Sequence, residues 1–130
     1  MVTVSLCMIV KDEEAVLGRL LEQVKPLVEE IIIVDTGSGD RTKEIALQYT
    51  PLVYDFTWQD DFAAARNYAF SFAKMEYILW LDADDVIFPP AQKQFLDLKE
   101  KLSPQVDMVM LPYQTAFDSQ GNPTFCYYRE

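Results

Sequence analysis

The 130-residue chain has no histidine and only two cysteines, and its 11 basic residues are outnumbered by 21 acids. Without histidine, neither an imidazole base nor an imidazole metal ligand is available within these residues. Cys7 and Cys126 lie far apart, each in an apolar setting, which suggests neither a zinc site nor a disulfide framework and fits a reducing, cytoplasmic location. The net charge of −10 argues against nucleic acid or an anionic membrane surface as the main partner. It would also repel an anionic small molecule unless a metal or a local basic group met it. No apolar run is long enough for a membrane span. The opening "MVTVSLCMIV" carries no basic leader and meets "KDEE" at once, so it reads as a first strand. There is no internal repeat, low-complexity tract or interdomain linker.

What is present is a core-forming composition. Half the residues are hydrophobic, among them eight Phe, seven Tyr and two Trp, enough for one compact domain over residues 1–130. Strand-like and helix-like periods alternate along the chain, which predicts an α/β domain with a mainly parallel, Rossmann-like sheet flanked by helices. Residues 3–10 form the first strand. From Asp12 a helical stripe follows through Val16, Leu17, Leu20, Leu21 and Val24 and ends at Pro26. "EIIIVD" is a second strand, and "TGSGD" leads into a helix carrying Ile45, Ala46 and Tyr49. "PLVYDF" is a third strand. Asp60 or Asp61 then caps a helix with Phe62, Ala65, Ala69 and Phe72 on its apolar stripe. "EYILWLD" is a fourth strand. Ala91, Phe95, Leu98 and Leu102 mark another helix, "VDMVML" a further strand, and the tail reads as a hairpin around Gly121, Asn122 and Pro123.

In open α/β sheets ligands gather at the carboxyl ends of strands, and every unusual polar cluster here falls at such an end. Strand one ends in "KDEE", strand two in Asp35 and "TGSGD", strand four in "DADD". The first two have plain alternatives, a charge-complemented helix start and a flexible turn with a cap; "TGSGD" also lacks the Lys-Ser/Thr ending of a phosphate-cradling loop. "LDADD" is different. Three adjacent, partly desolvated carboxylates remain ionised together only if a cation or several donors offset their repulsion. Hard oxygen ligands suit Mg²⁺ or Mn²⁺, and such sites bind through one or two carboxylates plus substrate phosphates. On an extended chain Asp82 and Asp84 share a face while Asp85 points elsewhere; Asp84 is the expected direct ligand. An EF-hand is excluded, because Val86, Ile87 and Lys93 occupy its required acid, Gly and Glu positions. In "AAARNYA", Arg66 lies beside the apolar stripe and needs an anion: either Asp82 or Asp35 as a structural partner, or a substrate phosphate. Asn67 can donate to the same ligand.

The segments "SLCMIVKDEE", "IIIVDTGSGDRT", "ARNYA" and "YILWLDADD", in this order and at these intervals, resemble the nucleotide-sugar-binding half of family-2 glycosyltransferases with the A-type fold. The likeness spans roughly residues 3–90. It implies that the turn from Val10 through Lys11 to Glu13 and Asp35 line the uridine or other base, with Asp35 accepting from a ring N–H, and that Gly37 also belongs to the nucleotide site. It further implies that Arg66 and Asn67 flank the site, that Asp82 approaches the ribose with Ala83 also at the nucleotide, and that Asp84, with Asp82, holds Mn²⁺ or Mg²⁺ on the diphosphate of an activated sugar, a UDP-sugar in the first instance. Asp12 departs from the Asn common there. The resemblance also implies a further hundred or so residues bearing the acceptor surface and the general base of an inverting displacement. The chain therefore reads as an apparently truncated fold, suited to donor binding and incomplete for transfer, with the acceptor unspecified.

Two other readings compete. "ILWLDADDVI" also fits a haloacid-dehalogenase-type phosphatase with Asp82 as nucleophile and Asp84 as general acid, although that nucleophile normally opens its domain. The third is a non-catalytic nucleotide-binding module.

Overall fold

The computed structural model describes residues 1–103, 105–108, 111–117 and 123–129. Its centre is a four-stranded, wholly parallel sheet of β1 (Val4–Val10), β2 (Glu30–Asp35), β3 (Val53–Asp55) and β4 (Tyr77–Trp80), in the order β3-β2-β1-β4. Cys7 pairs with Ile32 on one side and Trp80 on the other, which makes β1 and β2 the interior strands. Their near-continuous apolar runs follow from burial on both faces.

Side-chain alternation sorts the core into two layers. Leu6, Met8, Val10, Ile31 and Ile33 face α1 (Leu17–Val24) and α2 (Thr42–Leu47). Leu17, Leu20, Leu21 and Val24 are wholly buried, each worth roughly 1.5–3 kcal/mol of transfer free energy. Cys7, Ile32 and Val34 face α3 (Phe62–Phe70) on the other side, where Ala69 is small enough to sit against them. Burial, with a smaller push from Glu30, raises the Cys7 thiol to about 12, so it is chemically quiet.

The helices begin and end for local reasons. The first starts at Leu17, not Asp12, because residues 11–16 form a turn in which Asp12 is left-handed, with φ 52°. It ends in a 3₁₀ turn, Lys25–Leu27, around Pro26. α2 is short and stops before Tyr49. Asp61, not Asp60, caps α3, accepting from the Ala64 N–H at 3.1 Å. Phe62 departs from the expected core stripe: it is 48% exposed. In α4 (Pro89–Lys101) Ala91 is exposed, and the buried position is Lys99, outside the expected apolar stripe.

The strand expected over 106–111 is absent from 106–108. Tyr77 Oη donates to the carbonyls of Ser103 and Val106, and the Val106 N–H returns to Ser103 O at 3.0 Å, so the backbone groups of Val106 are engaged outside any ladder. Strand structure resumes at β5 (Leu111–Phe117), which pairs antiparallel with β6 (Pro123–Arg129) in a separate two-stranded sheet. The hairpin strands thus flank the expected turn, of which Gly121 and Asn122 lie outside the described residues.

At the amino ends of the strands a buried cation ties three elements together. Lys99 Nζ donates to Leu27 O at 2.8 Å and to Glu29 Oε1, while Glu29 Oε2 accepts from the Val4 N–H at 2.6 Å. Burial pushes the Glu29 carboxyl up, but the bonds from Lys99 and Val4, with the lysine's charge, outweigh it and hold it below its ordinary value. A depressed carboxylate contributes stability above its unfolded pKa and loses it as pH falls through the folded pKa. Lys99→Met should therefore cost on the order of 2 kcal/mol at neutral pH, less than a fully buried pair because the Glu29 side chain is 33% exposed. It should also flatten the acid limb of the stability profile. Urea denaturation across pH tests this; an unchanged midpoint and acid limb would contradict it.

Candidate active site

The strand order changes direction between β1 and β4, and in such sheets ligands occupy the crevice outside the carboxyl ends at that point. Two loops and one turn converge there. The turn after β1 and the loop after β2 are stitched together by reciprocal side-chain to backbone bonds. Asp12 Oδ1 accepts from the Gly39 N–H at 2.8 Å, and the Asp12 N–H donates to Ser38 Oγ at 3.0 Å. The Glu13 N–H donates to Thr42 Oγ1 at 2.7 Å, and Glu14 Oε2 accepts from the Arg41 N–H at 3.1 Å. Asp40, which accepts from the Thr42 hydroxyl and N–H, is held below its ordinary pKa chiefly by the hydroxyl bond. Several acids of "KDEE" and "TGSGD" therefore serve the backbone of the opposite loop.

Asp12 explains itself in this setting. Its left-handed backbone suits Asn or Asp and few other residues, and its useful atom is the Oδ1 acceptor, which an asparagine also carries.

Asp35, at the end of β2, is 4% exposed. Its Oδ1 accepts from the Gly37 and Ser38 N–H groups, both at 2.8 Å, across a turn that needs φ 114° at Gly37. Its Oδ2 is buried and has no hydrogen-bond partner among the described residues. A buried acceptor left unpaired costs about 1–3 kcal/mol, more when it carries charge, so this atom requires an explanation.

The next residue, Thr36, lines an open cavity of about 240 Å³ together with Ile9, Val10, Lys11, Glu13, Trp58 and Phe62. Val10, Lys11 and Glu13 were expected from sequence; Trp58 and Phe62 were not. Trp58 lies in an irregular stretch and carries no periodic signal, and the periodicity of Phe62 reads as a core position.

The acid cluster follows β4. Asp82, Asp84 and Asp85 bring carboxylate oxygens within 4.8 Å of one another. The expectation that Asp85 points elsewhere fails because β4 ends at Trp80 and the chain turns at 83–84. Asp85 Oδ2 accepts from the Asp82 N–H at 2.8 Å, and the Asp85 N–H donates to Asp82 O at 3.0 Å. Asp85 is buried, Asp82 half-buried and Asp84 exposed, while Ala83 is buried in the first core layer. Arg19 from α1 donates to Asp84 O at 3.4 Å, and the Ile87 N–H donates to Gln23 Oε1 at 2.9 Å, which fixes the loop against the helix. Glu13 joins the cavity to this cluster electrostatically. Burial pushes its carboxyl above the ordinary value, and the charges of Asp84, Asp82, Asp40 and Asp12 push it the same way. The donor set, three clustered hard oxygens whose field reaches a fourth carboxyl, suits Mg²⁺ or Mn²⁺.

Arg66 pairs with neither Asp82 nor Asp35. Its guanidinium lies over the rings of Trp80, at 5.0 Å, and Phe62, at 5.4 Å, and the residue is exposed. Asn67, next on α3, is also exposed. Cation–π contact satisfies the planar face of an arginine and leaves its in-plane donors for an anion.

A parallel 3-2-1-4 sheet flanked by helices, with its acids on the loop after the fourth strand, matches the A-type glycosyltransferase fold. Residues 5–124 match glycosyl transferase family 2, and the chain belongs to that family. It is 45% identical over 106 residues to a TPR repeat-containing protein of Synechococcus elongatus, covering 79% of this chain and 26% of that one. It is 31% identical to an uncharacterized glycosyltransferase of Rickettsia typhi, covering 78% and 31%. The chain thus spans about a quarter to a third of the length of these relatives. Among solved structures, glucosyl-3-phosphoglycerate synthase from Mycobacterium tuberculosis in complex with UDP superposes with a TM-score of 0.57 at 21% identity, over 65% of this chain and 35% of that one. The same enzyme with Mn²⁺, UDP-glucose and phosphoglyceric acid gives 0.56 at 20% identity, over 63% and 33%. At that identity the likeness concerns the fold. The family assignment removes the phosphatase reading. No helix among the described residues is long and apolar enough to cross a membrane.

Asp12→Asn should leave stability nearly unchanged, since the acceptor and the left-handed preference both persist. Asp12→Ala should cost on the order of 1–2 kcal/mol from the lost bond and the strained φ. Chemical denaturation of the two variants checks this, and equal losses would contradict the assigned role.

Proposed function

We propose that this domain binds a metal-chelated nucleotide-diphospho-sugar, a UDP-sugar first, as donor for inverting transfer to an acceptor of unassigned type. The observation that carries the proposal is the buried, unpartnered Oδ2 of Asp35. An acceptor fixed in a wall of backbone donors selects a base with a ring N–H, which uracil and guanine have and cytosine and adenine lack. Val10, Lys11, Glu13 and Gly37 complete the base and ribose side. Asp82 and Ala83 reach toward the nucleotide, and Asp84 with Asp82 would hold Mn²⁺ or Mg²⁺. That cation would neutralise the diphosphate and stabilise it as leaving group, a need sharpened by the net charge of −10. Arg66, already oriented by two aromatic rings, donates to the phosphates, with Asn67 beside it. The solved neighbours with UDP and Mn²⁺ support this reading by their fold.

Three outcomes are expected in thermal-shift titrations. UDP should stabilise the domain only with Mn²⁺ or Mg²⁺ present, UDP should exceed CDP, and Asp84→Asn should abolish the shift. Asp35→Asn keeps Oδ1 for Gly37 and Ser38 but puts a donor where the acceptor was, so it should weaken UDP binding by roughly 10- to 100-fold. A variant that binds like the parent, or equal shifts with UDP and CDP, would overturn the assignment.

Arg66→Ala should change the stability of the free domain by less than about 1 kcal/mol, the worth of an exposed cation–π contact. It should weaken UDP·Mn²⁺ binding by roughly 1.5–3 kcal/mol, with Arg66→Lys recovering part. Calorimetric titration alongside denaturation separates the two effects. A variant that melts much earlier yet binds with unchanged affinity would contradict the ligand role.

A further inference from the structure

Two of the largest apolar side chains in the domain are left in water at the same place. Trp58 is 41% exposed and Phe62 48% exposed, and both line the cavity that also contains Thr36, the residue after Asp35. Single exposed hydrophobics need no explanation, but a pair of aromatics lining one concave site marks a binding surface. Their orientation is also fixed without burial. The indole N–H of Trp58 donates to Asp60 Oδ1 at 3.0 Å, and Asp60 adopts φ 56°, a left-handed conformation that aspartate tolerates and most residues do not. Asp61 then caps α3 and sets Phe62 at its first residue. The Phe62 ring stands edge-on to Trp58 at 6.1 Å and to Trp80 at 6.0 Å. In a segment with no regular structure, Asp60 holds the Trp58 ring and Asp61 starts the helix that carries Phe62.

We infer that Trp58, positioned by Asp60 and backed by Phe62, is the stacking platform for the donor's nucleobase. The inference rests on the donor-site reading and adds a specificity-determining residue to it. Asp35 would read the edge of the base by hydrogen bonding, and the indole would take its face. Pre-setting the indole through Asp60 lowers the ordering cost of binding. Because a phosphate has no π face, the platform contributes to nucleotide affinity and not to diphosphate affinity.

The test compares UDP with inorganic pyrophosphate, each with Mn²⁺, by calorimetry on the parent, Trp58→Ala, Trp58→Phe and Asp60→Ala. Base–aromatic stacking removed by alanine substitution is expected to weaken UDP roughly 5- to 100-fold. Pyrophosphate binding should stay within about twofold of the parent, the ratio being set by the absence of any stacked ring. Trp58→Phe should retain most of the UDP affinity, and Asp60→Ala should lose part of it while leaving pyrophosphate alone. Melting temperatures near the parent's are expected, because Trp58 is outside the core. If Trp58→Ala binds UDP like the parent, the platform is refuted and the donor-site reading stands. If it loses UDP and pyrophosphate equally, the residue supports the site as a whole and the platform is again refuted. If the parent binds neither ligand, the donor-site reading fails and takes the platform with it.

Discussion

The organisation of the site depends on one carboxylate with unequal oxygens. Asp35 closes β2, and its Oδ1 gathers the N–H groups of Gly37 and Ser38 while its Oδ2 is buried without a hydrogen-bond partner among the described residues. The first oxygen builds the loop, and the second is the atom that the proposed reading assigns to the base. The loop in turn receives the turn after β1 through Asp12, Ser38 and Gly39, so the ends of two central strands become one rigid wall. An unpaired buried acceptor survives in a marginally stable fold only if the surroundings overdetermine it, and here two loops do so.

Charge organises the other half. The acids after β4 and Glu13 repel one another, and Glu13 records this as a raised pKa on top of its burial. Arg66 does not answer that repulsion. It lies over Trp80 and Phe62 instead. Under the proposed reading, a metal-bound diphosphate would meet the acids through its cation and Arg66 through its phosphates, and so reconcile an anionic donor with a strongly acidic domain. The opposite end of the sheet is built on different terms. There Lys99 and Glu29 are already paired, and their role is to clamp α4 and β1 to the chain entering β2.

Much of this was legible in the sequence because it rests on periodicity and on strand ends. The uninterrupted apolar runs of β1 and β2, the stripe Leu17, Leu20, Leu21 and Val24, and the placing of Asp35 and "DADD" at carboxyl ends all follow from alternation and topology. What escaped depends on geometry that no period encodes. Asp85 folds back because the chain turns at 83–84, so the two-residue rule for extended chains does not apply. Lys99 is buried because the Leu27 carbonyl and Glu29 meet it from 70 or more residues away. Phe62 keeps its helical spacing, yet the helix begins there and its ring faces the cavity. Trp58 sits between elements, where only its neighbour Asp60, another turn residue, hints that the ring is held. Chain alternation likewise suggested a strand at 106–111, but 106–108 form none, and a distant tyrosine hydroxyl takes the carbonyls of Ser103 and Val106.

The most direct measurement is a crystal structure of the domain with UDP and Mn²⁺. The account predicts a ring N–H of the base within hydrogen-bond distance of Asp35 Oδ2 and the cation on Asp84 at the diphosphate. A nucleotide bound elsewhere, or an Asp35 Oδ2 that has found a protein partner instead of the base, would contradict it.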